Sequence, residues 1–182
     1  MIFIENRRKS LAKLQEKYPQ SKIIDVTSRA EIPFVKLSPF YPVGDIPVPF
    51  SDGQVGQSVE GIWQGLKVFE NQGIDTSFFE NKRMKGLKRT VRKYGPVKGH
   101  QAGVNSETLL DYVQARKQIY LPIYLWVLEH KVTEVLALLQ EYKQSLDLVL
   151  LDYETNGDIN DTSKPLSHAY LIKYYLEGNY PK

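Results

Sequence analysis

A chain of 182 residues, 42% hydrophobic and 25% charged, is long enough for one domain with a sizeable core and too apolar for disorder. It contains no cysteine, which excludes disulfides, thiolate metal sites and cysteine nucleophiles, and its histidines (His100, His130 and His168) lack metal-ligand spacing. The net charge of +3 is uneven: eight cations fall between Lys82 and Lys98 with no acid among them, leaving −5 on the remainder, which points to a local anion partner.

The N-terminal apolar run is too short for a signal peptide, and no run approaches the roughly 20 residues a membrane helix needs. A cytoplasmic protein without a membrane partner is expected. In chain order, residues 6–18 predict an amphipathic helix with Leu11, Leu14 and Tyr18 on one side, closed by Pro19. Lys22–Thr27 reads as a short strand. Residues 31–53 alternate prolines with aromatic and apolar residues, Phe40 among them, and read as a stiff extended segment. It is either a packed loop or the wall of a pocket for a planar ring.

Residues 58–70 and 75–94 predict helices separated by Gly73, and 106–144 a long helical pattern interrupted near Pro122 and His130. The cations of 82–93 would form one face of an amphipathic helix, with Met84, Leu87 and Val91 opposite. That face is either solvated, or binds ligand phosphates through Lys88, Arg89 and Lys93, or grips a nucleic-acid backbone. Leu146–Tyr153 predicts a buried strand, Asn156-Gly157-Asp158 a turn, and a last helix starts near Pro165 and ends at Gly178. The expected class is mainly α (α+β), as a single domain over 1–182.

The stretch Ser58–Phe69 is the most informative. Ser58 can cap a helix whose core face is Val59, Ile62, Leu66 and Phe69. Glu60, Gln64 and Lys67 then share the opposite stripe, bordered by Trp63. Gly61 and Gly65 each cost roughly 1 kcal/mol inside a helix relative to alanine, so a backbone or a ligand is expected to approach them closely. Tyr112, Arg116 and Tyr120 form a second stripe, read either as a packing face or as a stacking and charge-pairing surface for a base. His100 follows Lys98-Gly99 and reads as a surface histidine or a base or phosphate contact.

Glu60-x-x-x-Gln64-x-x-Lys67 preceded by Ser58 resembles the signature helix of the NADAR family. Leu37-Ser38-Pro39-Phe40-Tyr41-Pro42 resembles its Ser-Asn-Phe-Tyr-Pro segment, with Pro39 in place of asparagine, and weaker likeness continues to about residue 177. NADAR proteins are N-glycosidases acting on a phosphoribosyl pyrimidine intermediate or on ADP-ribosylated guanine. The resemblance implies Glu60 as the carboxylate beneath an oxocarbenium-like transition state. It implies Gln64 on the ribose or on water, Lys67 on a phosphate or paired with Glu60, and Phe40 and Trp63 in the pocket wall. Lys88 and Arg89 would meet phosphates, Tyr112 the base, Arg116 an acid or phosphate, and His168 the ligand site. Asp152, Asp158 and Asp161 compete as the second acid, with Asp158 carried as the catalytic candidate. No cofactor or metal is implied. The expected partner is a small nucleotide or an ADP-ribosylated base, with nucleic acid as its carrier. The rival readings are a non-catalytic ADP-ribose-binding module and a basic-helix nucleic-acid-binding protein.

Overall fold

The computed structural model describes every residue, Met1–Lys182. The elements run β1 (Ile2–Asn6), α1 (Leu11–Lys17), β2 (Lys22–Asp25), a 3-10 turn (Phe34–Leu37), β3 (Ile46–Pro47), β4 (Val55–Gly56), α2 (Val59–Leu66) and β5 (Lys67–Phe69). A second 3-10 turn (Thr76–Glu80), α3 (Val91–Tyr94), β6 (Val97–Gln101), β7 (Leu109–Leu110) and α4 (Tyr112–Ala115) follow. A π-helical turn (Arg116–Tyr120), α5 (Leu121–His130), α6 (Thr133–Ser145), β8 (Leu148–Asp152) and α7 (His168–Leu176) complete the chain. Helix takes 38% of residues and strand 17%, the mainly α, α+β class expected. No helix is long and apolar enough to cross a membrane. The chain divides into two compact units, Met1–Ser38 with Leu128–Pro181, and Pro39–Val127.

The first unit is built on a three-stranded parallel sheet of order β1-β8-β2. Every residue of β8 is buried. Its run Leu148–Leu151 is continuously apolar, as a strand covered on both faces requires. Ser10 caps α1, its Oγ accepting from Lys13 N, so the helix is shorter than the predicted 6–18. Leu14 packs with Val149 and Leu151, and Tyr18 joins that cluster. Leu11, expected beside them, is the first residue of the helix and is 57% exposed. Buried Glu5 accepts hydrogen bonds from Lys17 and Tyr18 at 2.6 and 2.8 Å and pairs with Lys9, tying β1 to α1. Burial works to raise the Glu5 pKa, but these donors hold it down at about 2.

In the second unit β5, β6 and β7 form an antiparallel sheet, and α2 packs on the Thr76–Glu80 turn. The helix expected over 75–94 does not form. Met84 and Gly86 adopt left-handed backbone angles (φ 54° and 71°), which break any helix there, and only Val91–Tyr94 is α-helical. The cations Lys82, Arg83, Lys85 and Lys88 instead lie exposed on an irregular segment. Residues 106–110 are not helical either; they lead into β7. The expected disturbance near Pro122 is the π-helical turn just before it. Proline lacks an N–H and its ring crowds the carbonyl four residues back, so the helix widens by one residue there.

Candidate functional site

Ser58 caps α2 as expected, its Oγ accepting from Gly61 N at 3.0 Å. Val59, Ile62 and Leu66 are buried on its core face. The two glycines admit a neighbouring segment. A Cβ on Gly61 would stand 2.6 Å from the Phe78 carbonyl oxygen, and one on Gly65 would stand 2.4 Å from the Phe79 ring. The close approach inferred from these glycines is therefore by protein, from the Thr76–Glu80 turn. At the other end of the aromatic segment, Glu60 N donates to the Pro39 carbonyl at 2.9 Å. This bond anchors the chain directly before half-buried Phe40 to the first turn of α2.

Glu60 and Gln64 meet as their spacing implies: Gln64 Nε2 donates to Glu60 Oε1 at 2.8 Å. Gln64 Oε1 accepts from Arg89 N at 3.2 Å, so both ends of the amide are committed. Only one amide orientation satisfies an acceptor on one side and an N–H on the other. Burial pushes the Glu60 carboxyl above its ordinary range, opposed by the Gln64 bond and by the charges of Lys67 and Lys88. Lys88 is exposed yet close enough to act on Glu60 electrostatically.

Lys67 is not on the helical stripe. The helix ends at Leu66, and Lys67 is its extended C-cap (ψ 134°) and the first residue of β5. The cause is Arg89, expected to bind phosphate but only 5% exposed. Its Nη1 donates to the carbonyls of Gln64 (3.1 Å) and Lys67 (2.6 Å), and its Nη2 to that of Gly73 (2.7 Å). Arg89 thus caps the C-terminus of α2 and turns the chain into the sheet, a structural role. Burial lowers the Lys67 pKa, Arg89 adds to that, and Glu60 opposes it.

Trp63 is buried within an aromatic cluster. Its ring lies 3.7 Å from that of His100, 5.5 Å from Tyr120 and 5.9 Å from Tyr112 by centroid. The Arg116 guanidinium, buried, sits 4.5 Å over the Tyr112 ring. The Tyr112, Arg116 and Tyr120 stripe therefore packs behind α2. His100, read as a surface residue or a ligand contact, is fully buried in β6, with its backbone directly opposite Lys67. Gly99 allows this burial: its φ is +153°, and a Cβ there would lie 2.5 Å from the Leu110 carbonyl oxygen. Burial, with the charge of Lys67, drives the His100 pKa to about 3, so the ring is neutral at physiological pH.

The profile of a family of unknown function, DUF6939, matches residues 6–172. The chain belongs to that family. No curated protein matches it. The family match spans both compact units, including the remaining predicted residues, Asp158 and His168, in the first.

There, His168 Nδ1 lies 3.0 Å from Asp152 Oδ2, and its Nε2 lies 2.8 Å from the Val26 carbonyl. Both ring nitrogens face acceptors, so the ring carries two protons and a positive charge. Burial opposes that charge, but Asp152 and Val26 outweigh it and raise the His168 pKa. Asp152 also accepts from Ser167 Oγ at 2.7 Å and Ala169 N at 3.3 Å. Burial works to raise its pKa, and His168 with these donors lowers it on balance. Asp158 is exposed and accepts from Asn160 N at 2.8 Å, an Asx turn. It lines an open pocket of about 390 Å³ with Tyr174 and Asn179. Asp161 holds a similar local turn through Ser163 N.

Proposed function

We propose that this protein is an N-glycosidase hydrolysing the bond between a ribose phosphate or ADP-ribose and a base. The observation that carries the reading is Glu60: a half-buried carboxyl, raised in pKa, oriented by Gln64 and flanked by Lys67 and Lys88. A carboxylate in a fixed, partly desolvated position favours the positive charge that develops on a ribose ring more than it favours the neutral ground state. In the reaction the C1′–N bond breaks, the base nitrogen gains a proton, and one water supplies both that proton and the hydroxyl on C1′. Lys67 and Lys88 supply the cations a phosphate needs. The reading puts the enzyme in the cytoplasm, with a free nucleotide or a modified base carried on nucleic acid as substrate.

The test is base release, followed by chromatography, from ADP-ribosylated guanosine and from a phosphoribosylamino pyrimidine. Release from either supports an N-glycosidase. No release, with ADP-ribose still raising the melting temperature, moves the function to a binding module.

A further inference from the structure

His100 has no solvent-accessible surface, yet no protein group lies within hydrogen-bonding distance of Nδ1 or Nε2. Buried polar atoms nearly always have partners, and an imidazole with neither nitrogen paired needs an explanation. The ring is held in place by its stack on Trp63, centroids 3.7 Å apart and planes inclined at 31°. Stacking alone would be served as well by phenylalanine, without the cost of two unpaired nitrogens.

The sheet register suggests what meets those nitrogens. Lys67 and His100 are directly opposed across β5 and β6, and directly opposed residues project from the same face. Lys67 is half-buried and His100 fully buried, so the flexible lysine is the outer side chain of the pair. Glu60 lies within electrostatic reach of Lys67, which connects this pair to the proposed reaction centre.

We infer that His100 hydrogen-bonds a ribose hydroxyl of the ligand, and that it becomes accessible when the Lys67 side chain turns toward the ligand's phosphate. The chemistry selects a hydroxyl over an anion. A neutral imidazole has one N–H and one bare nitrogen, and a hydroxyl, which both donates and accepts, pairs with either. A phosphate only accepts, so it pairs with the one N–H and leaves the bare nitrogen unpaired, and the second proton that would let both nitrogens donate is disfavoured by burial and by the nearby Lys67 ammonium. His100 is thus a specificity residue for the sugar. The identity of the sugar rests on the proposed N-glycosidase reading; the unpaired state of the ring does not.

The experiment compares ribose 5-phosphate, 2-deoxyribose 5-phosphate and inorganic phosphate by calorimetry on the full chain and on His100→Phe. Wild type is expected to bind ribose 5-phosphate more tightly than the other two. His100→Phe should weaken ribose 5-phosphate by about tenfold, leave inorganic phosphate unchanged, and melt at or above the wild-type temperature. A variant that melts lower and keeps the full preference for ribose 5-phosphate would make His100 a packing residue and overturn the inference. So would a wild-type protein that binds no ribose 5-phosphate. Imidazole 15N spectra of the wild type give a second readout, simple with three histidines in the chain. Ribose 5-phosphate should move the His100 nitrogens and leave those of His130; calorimetric binding without that shift also overturns it. Base release is scored separately. Release unaffected by His100→Phe removes this inference and leaves the N-glycosidase. Ribose-dependent His100 shifts without any release remove the N-glycosidase and leave this inference.

Discussion

Gln64 donates a 2.8 Å hydrogen bond to Glu60 one turn earlier in α2, and the orientation of its amide is fixed by Arg89 N on the other side. The bond holds the Glu60 carboxyl in one position and stabilises its ionised form. Removing the donor should raise the Glu60 pKa further above the ordinary carboxylate range. A reaction that needs the carboxylate gains rate as pH rises through that pKa. Gln64→Leu is therefore expected to shift the acid limb of kcat/KM to higher pH. Lys67→Met should shift it the same way, because Lys67 also lowers the Glu60 pKa. A pH–rate profile of each variant checks this.

Gly61 and Gly65 are kept free of side chains by the Thr76–Glu80 turn. Alanine usually favours a helix by roughly 1 kcal/mol over glycine. Here the added Cβ would meet the Phe78 carbonyl at 2.6 Å, a backbone atom that cannot rotate aside. Gly61→Ala should therefore lower stability, by about 2 kcal/mol, in urea denaturation.

Arg89 serves three backbone carbonyls at once. Lysine keeps the charge but cannot present the same planar fork. Arg89→Lys is expected to cost about 2 kcal/mol and to loosen the junction of α2 with β5, which sets where Lys67 points. Hydrogen exchange of the β5 amides should rise in this variant.

His168 and Asp152 make stability depend on pH in two opposite senses. The folded His168 pKa is raised above its ordinary 6.5, so its contribution is full below 6.5 and is lost as pH rises through the raised value. The folded Asp152 pKa is lowered from 3.8, so its contribution is full above 3.8 and is lost as pH falls through the lowered value. The pair thus contributes fully between those ordinary values. Asp152→Asn should cost about 3 kcal/mol in that window, with a smaller deficit above it, measured by denaturation at several pH values.

Much that depends on near neighbours in the chain was legible in the sequence. The Ser58 cap, the buried run of β8, the shared stripe of Glu60 and Gln64 and the close approach at Gly61 each follow from residue type and short spacing. What was not legible depends on distant partners. Lys67 leaves the helical stripe because Arg89, 22 residues on, captures its carbonyl. The basic segment looked helical by period, but Met84 and Gly86 take left-handed angles that period does not encode. His100 reads as a surface residue or a ligand contact, but Gly99 lets β6 close against Leu110 and buries it. The strand β1 is invisible to local pattern because its partner β8 begins some 140 residues later.

The most direct measurement is base release by Glu60→Gln beside wild type, on the same ribosylated substrates and with both proteins shown folded by their melting curves. Glutamine preserves the side-chain shape and removes the charge. If Glu60 is the carboxylate beneath the ribose, release falls by two orders of magnitude or more, while the variant melts at or above wild type because a partly desolvated charge has gone. Release that continues in Glu60→Gln at the wild-type rate would contradict the account.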